Sequence, residues 1–443
     1  MTLKLHDSRA LKAENVTCFM TPLIVCMYKR NVRMNLRKIF FLVFVANAGS
    51  LASYLFQVLC ARSMSPEAYG VFNALNSLSV LAIAPLPVLV LLISRMTISF
   101  SSSHEQEIAN LWKFILKMAS GAALLVASLG FLFAPFIQRY LHLSSIKPVY
   151  IIVLIIAVSF LVPAFVGILQ GLRLYLFQVW VMALWNWGRL LAGGLLALDR
   201  SLSVGEALLS GLIGIGIALA FAWYILRHNL PLPPSPSLSI NIWHFFKKEI
   251  KQNLPFLAFS YVLVALFINA DLILARHYLP PQEVGLYSVA AIIGRIGFYL
   301  PGILVAVIFS ETVRQTSLKG ILKIGGVAYL FSLSFAVLAA FFPGKLICLL
   351  MGAKYTAAAS YLRIIAIGMS FLGLANISFS YFLGKTDFGY LKFFSFLTLI
   401  TFGAIVFRLH QSPSQIALAI TCGAFLAWCY SLFLVFKGER KCC

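Results

Sequence analysis

The sequence predicts an all-α integral membrane protein of about twelve transmembrane helices, in two six-helix bundles that enter the membrane with the same orientation. Three observations carry this. The 443 residues are 61% hydrophobic and 11% charged, with a mean hydropathy of +0.94; a soluble protein needs about a quarter of its residues charged. Apolar runs of about 18 to 25 residues, each long enough to cross a bilayer as a helix, recur along the chain. The chain also repeats itself. Ala61-Arg62, then Pro66-Glu67-Ala68-Tyr69-Gly70-Val71-Phe72, returns about 215 residues later as Ala275-Arg276, then Pro281-Gln282-Glu283-Val284-Gly285-Leu286-Tyr287.

Residues 1–35 form a basic tail. Its one apolar stretch, Val16 to Tyr28, is interrupted by Pro22 and is too short to span. The first bundle covers 36–227, with apolar runs near 39–60, 69–94, 112–136, 149–171, 175–198 and 205–226. A cytoplasmic linker follows at 228–252: Leu230 to Pro236 is too proline-rich for a helix, and Trp243 to Lys251 is an amphipathic basic stretch suited to the membrane surface. The second bundle covers 253–437, with runs near 254–277, 285–309, 321–342, 361–383, 388–408 and 415–436, and residues 438–443 form a short tail. Six runs on each side of the linker place the pseudo-symmetry axis along the membrane normal. The repeat extends to Gln57 and Asp271, each five residues before its arginine, and to Pro85 and Pro87, which bracket the position aligned with Pro301. Pro85, Pro87, Pro163 and Pro301 predict kinks in spans 2, 4 and 8. Strand alternation is absent, which argues against a β-barrel.

The net charge of +22 would suggest nucleic acid in a soluble protein, but its distribution is topological. With the N-terminus inside, 24 of the basic residues fall on cytoplasmic segments and eight on the opposite side, which puts both termini in the cytoplasm and leaves attraction to anionic membrane lipids as a secondary effect. The outer loops are too short to carry a catalytic domain, and their acids, Glu67, Asp199, Glu206 and Glu283, stand singly. Glu67 and Glu283 read as first-turn residues of helices that open with proline. His142, His277 and His410 read as solvated interfacial residues. No histidine or cysteine spacing suits a metal, and no phosphate-binding loop or catalytic triad is present. The expectation is a protein that is not an enzyme and carries no metal or cofactor.

The helix 7–8 junction, Asp271 to Arg276 and Pro281 to Ala290, resembles the polysaccharide-flippase branch of the multidrug/oligosaccharidyl-lipid/polysaccharide exporter superfamily. So do Met64 to Gly70 and the segment Phe382-Leu383-Gly384-Lys385-Thr386-Asp387. The resemblance implies the exporter-superfamily flippase fold in a bacterial inner membrane. It also implies a cargo of undecaprenyl-diphosphate-linked oligosaccharide for O-antigen, capsule or exopolysaccharide, moved by alternating access. A polysaccharide polymerase and a chain-length regulator would be its partners. The alternatives within the superfamily are a cation-coupled multidrug exporter and a lipid II flippase.

Such a cargo needs a cationic cavity, and two intramembrane arginines fit. Arg295 and Arg189 each lie about 15 Å from the outer surface at 1.5 Å per residue, where a charge faces a cavity or a partner. Both are candidate substrate-binding residues. The competing reading pairs Arg295 with Asp271 and places Arg189 on helix-end carbonyls. Asp271 is a candidate for ion coupling or gating. Gln57 and Asn376 are candidates for lining the path, while Asn47 and Asn269 read as inter-helix hydrogen-bonding residues.

Overall fold

The computed structural model describes residues 36–100, 105–198, 201–230, 254–301, 318–384 and 387–439. Among these residues there is no strand. The first half holds α1 (Leu36–Ser63), α2 (Pro66–Ile83), α3 (Leu86–Phe100), α4 (Glu105–Tyr140), α5 (Lys147–Ser159), α6 (Val162–Gly171), α7 (Tyr175–Leu196) and α8 (Val204–Asn229). The second half holds α9 (Leu254–Tyr278), α10 (Pro281–Gly294), α11 (Ile296–Tyr299), α12 (Leu318–Phe341), α13 (Pro343–Leu350), a 3₁₀ turn (Ala353–Ala358), α14 (Ala359–Gly384), α15 (Tyr390–Phe407) and α16 (Pro413–Glu439).

Where the twelve expected runs fall within the described residues, they coincide with helix. Nine spans in the described residues are long and apolar enough to cross a membrane, or ten if the bent pair α12–α13 counts as one. The difference from twelve has two sources. Helix α7 has the length, at 22 residues, but Gln178, Asn186 and Arg189 make it more polar than its neighbours. Span 8 runs on from Pro301 beyond the described residues. The tail 1–35, the linker after Leu230, and Glu311 and Arg314 also lie outside them.

Proline sets the breaks. Span 2 divides into α2 and α3 at Ala84-Pro85, and span 4 divides into α5 and α6 just before Pro163, because proline lacks the amide that an unbroken helix needs. In span 8 the break falls earlier, at Arg295, which caps α10 and accepts the first bonds of α11 from Phe298 and Tyr299 at 3.0 Å. One break differs from expectation. Residues after Phe342 read as an outer loop, yet Pro343 opens α13, bent by 95° from α12.

In the first half α7 packs between α1 and α8, α3 packs on α6, and α4 on α5. In the second half α14 is central, against α10, α12 and α16. The halves join where α2 runs along α9 and α10. One hydrophobic core, including Phe56, Tyr69, Phe267 and Tyr287, is continuous across both halves at the end where α2 and α10 begin. A second core, around Met96, Trp112, Phe165 and Leu226, belongs mostly to the first half at the other end. Helix α4 buries its start, through Ile108, Leu111 and Trp112, and leaves Leu124, Leu125, Leu132 and Phe136 exposed further along. An apolar face of that size is suited to lipid rather than water.

Candidate functional site

The end at which both repeat motifs lie is shut by contacts that cross between the halves. Pro66 and Pro281 open α2 and α10; Ser65 caps α2 by accepting from the Ala68 amide at 3.2 Å, and Glu67 and Glu283 occupy first turns. One turn in, the two motif glycines meet. A Cβ on Gly285 would stand 2.1 Å from the Pro66 carbonyl oxygen, and one on Gly70 would stand 3.0 Å from the Gly285 nitrogen. Small residues let helix backbones approach this closely in a membrane protein, so both motifs lie at the same end.

Around this contact the motif arginines reach across in opposite directions. Arg62 donates to the Leu349 carbonyl at 2.7 Å, in the last turn of α13. Arg276 donates through Nε to the Leu141 carbonyl at 2.9 Å and through Nη2 to His142 at 3.0 Å, just past α4. His142 has φ 48°, a left-handed residue where the chain reverses. Carbonyls at a helix C-terminus lack intrahelical donors and carry the negative end of the dipole, so a guanidinium suits them. Lys354 donates to the Arg62 carbonyl at 3.1 Å, and the Tyr355 hydroxyl donates to that of Ala61 at 3.0 Å.

The histidines are not free at the interface. His277 bonds the Tyr140 carbonyl through Nδ1 at 2.8 Å, its ring stacked on Tyr140 at 4.1 Å and His142 at 5.3 Å. His410 stacks on Tyr278 at 4.2 Å. Sequence reasoning missed them because their partners lie in the other half of the chain or in backbone.

Deeper in, the structure brings Asp271 and Arg295 together. Asp271 is fully buried and accepts from Arg295 Nη2 at 3.2 Å and from the Tyr287 hydroxyl at 3.0 Å. Arg295 is 5% exposed, and its Nε has no hydrogen-bond partner. The equivalent point of the first half holds Gln57, which accepts from the Tyr69 hydroxyl at 3.2 Å. Arg189 lies over the Phe56 ring at 4.1 Å and 5.7 Å from that of Phe72, its Nε also without a partner. Rings, rather than helix-end carbonyls, hold it. Such cation–π contact is worth most away from water.

Between the halves lies a cavity of about 540 Å3. It lies toward the end away from the motifs: Gln178 is in the first turn of α7, and Ser260 and Tyr261 lie near the start of α9. Its walls come from α2, α3, α6 and α7 of one half and α9, α11 and α14 of the other. Asn376 lines it as expected. Asn269 does too, although the sequence suggested only an inter-helix bond. Arg189, Arg295 and Gln57 do not line it, and no charged side chain among the described residues does. The expectation of two arginines facing a common cavity is therefore not met in this arrangement, because each packs against residues of its own half. Nothing in the sequence singles out Gln178: one amide near a helix end resembles any other polar residue at a membrane boundary.

The sequence matches the family model described as polysaccharide biosynthesis protein over residues 35–310. No curated protein matches it. Among solved structures, the fold is similar to the inward-facing conformation of a multidrug resistance MATE family transporter of the MOP superfamily, with TM-score 0.72 and 13% identity, covering 89% of this chain and 96% of that one. The outward-facing conformation of a multidrug resistance MATE family transporter of that superfamily gives 0.53 at 13% identity, covering 90% and 95%. The lipid II flippase MurJ in an inward closed conformation gives 0.63 at 17% identity, covering 89% and 87%. At these identities the likeness establishes the fold alone.

Proposed function

The chain belongs to the polysaccharide biosynthesis protein family, and from that premise we propose that it flips an undecaprenyl-diphosphate-linked oligosaccharide from the inner to the outer leaflet of a bacterial cytoplasmic membrane. The observation that supports this reading best is the between-half cavity, closed at one end by reciprocal contacts from both motif arginines. Such a molecule changes access by parting its halves at one end while closing them at the other. With the basic segments in the cytoplasm, both termini are cytoplasmic and the present arrangement faces inward. A polysaccharide polymerase and a chain-length regulator act downstream as partners.

Asp271, Arg295 and Tyr287 form the gating or ion-coupling element. An ion pair inside a membrane is costly to keep and marks a working site. Protonation of Asp271, or a cation in place of Arg295, releases the guanidinium and changes the packing at the Arg295 break. A cation-coupled drug exporter would want a carboxylate in the cavity, and none among the described residues lines it.

The test is reconstitution of the full chain in liposomes loaded with an undecaprenyl-diphosphate disaccharide. The expected result is faster exposure of the sugar to a membrane-impermeant glycosidase. No acceleration, with uptake of tetraphenylphosphonium in its place, would assign the chain to drug export.

A further inference from the structure

Which part of the cargo does the cavity read? Three amide side chains on its wall have unused hydrogen-bonding capacity. Gln178 is 8% exposed, and its Oε1 is buried with no hydrogen-bond partner. Asn269 donates from Nδ2 to the Ala265 carbonyl at 3.1 Å, within its own helix, which leaves the acceptor capacity of its side-chain oxygen unused by that bond. Asn376 uses only its backbone carbonyl, which accepts from Ser380 at 2.8 Å. Trp185 supplies a flat apolar wall two turns further along the same face of α7 as Gln178.

A buried amide oxygen without a partner has lost its hydration for nothing in return, so a polar ligand would complete the wall at Gln178. An amide both donates and accepts, as does each hydroxyl or acetamido group of a sugar, and an aromatic face suits a sugar's C–H surface. The absence of a charged side chain among the described lining residues matters equally. An ionised group moved into this wall would lose its hydration with no countercharge in return.

We propose, resting on the flippase reading above, that the cavity is a subsite for the neutral part of the glycan, with Gln178, Asn269, Asn376 and Trp185 as its recognition residues. The diphosphate stays outside it, at headgroup level. Gln178 and Trp185 belong to the first half and the two asparagines to the second, so one sugar bridges both halves and closure of the mouth tightens on it.

The test uses the full chain in nanodiscs and three probes: undecaprenyl diphosphate, the same lipid carrying an N-acetylglucosamine–galactose disaccharide, and that disaccharide with glucuronate in place of galactose. The neutral glycolipid should bind about tenfold more tightly than the sugarless lipid. Gln178→Leu and Asn376→Leu should each weaken it about three- to tenfold, the effect of one lost hydrogen bond, and leave the sugarless lipid unchanged. The glucuronate form should bind no better than the sugarless lipid. Should a leucine variant fail to fold, the smaller change Gln178→Asn should still reduce neutral glycolipid binding. Equal weakening of all probes, or tight binding of the glucuronate form, would overturn this inference while leaving the flippase reading standing. Binding of none of the three would overturn both.

Discussion

The two halves place a polar side chain at the same point of their first span, Gln57 and Asp271, and a tyrosine of the next helix donates to each, at 3.2 and 3.0 Å. Beyond that the chemistry diverges. In the second half the acid draws in Arg295 and forms a buried ion pair. In the first half there is no acid; Arg189 settles on Phe56 and Phe72, and Phe72 occupies the repeat position of Tyr287. The duplicated scaffold has kept its closing contacts in both halves, because closure needs a partner from each side, and has let the interior diverge. At this pair of equivalent positions only the second half holds a carboxylate that a proton or metal cation could compete for.

The largest expected effect breaks that comparison directly. Asp271→Asn leaves Arg295 buried without its countercharge and should destabilise the chain by about 3–5 kcal/mol, read as a fall in thermal midpoint in detergent. The double change Asp271→Asn with Arg295→Gln should recover much of the loss. Gln57→Leu removes one neutral bond and should cost about 1 kcal/mol. Similar costs at the two equivalent positions would mean that charge is not what separates the halves. Sugar export by Asp271→Asn should also fall with membrane insertion intact; wild-type export across a range of pH and sodium would exclude ion coupling.

Next come the glycines. A Cβ on Gly285 meets backbone at 2.1 Å, whereas on Gly70 the nearest atom is the flexible Val284 Cγ1 at 2.9 Å. Gly285→Ala should therefore cost more than Gly70→Ala, about 1–3 kcal/mol from overpacking, and should loosen the motif end. Labelling of a cysteine placed beside the contact would register that loosening, and equal labelling of the two variants would contradict the asymmetry.

The smallest effect separates the arginines. Arg276 is 7% exposed with two bonds across the interface, while Arg62 is exposed with one. Arg276→Ala should cost about 1.5–3 kcal/mol, as for bonds to charged groups, and Arg62→Ala less than about 1 kcal/mol. Thermal melts of both variants decide it, and a reversed order would show Arg62 to be the stronger latch.

Much of the fold was legible because apolar length and proline are local signals. The twelve helical positions and the breaks near Pro85 and Pro163 need no tertiary knowledge. The pairing of Asp271 with Arg295 was legible as one of two readings, since both lie on adjacent spans at compatible depth. The closing contacts were half legible: Arg62, Arg276, Gly70 and Gly285 stand out as a repeat, but carbonyls at Leu141 and Leu349 leave no trace in composition. The cavity was the least legible part. Its polar wall is assembled from single amides on α6, α7, α9 and α14, and only packing selects those four from the chain's other amides.

That the cross-half donors all end on carbonyl oxygens has a bearing on how such a protein can drift over generations. A latch of two side chains ties two positions together, and a change in one demands a matching change in the other. Here the receiving positions, 61, 62, 64, 140, 141, 142 and 349, offer the backbone oxygen that every amino acid possesses. A substitution at the exposed Leu349 keeps its carbonyl and therefore the bond, whereas Ala61, Tyr140 and Leu141 are also held by their own packing. Two descendants of this chain could share few residues along these edges and still close in the same way.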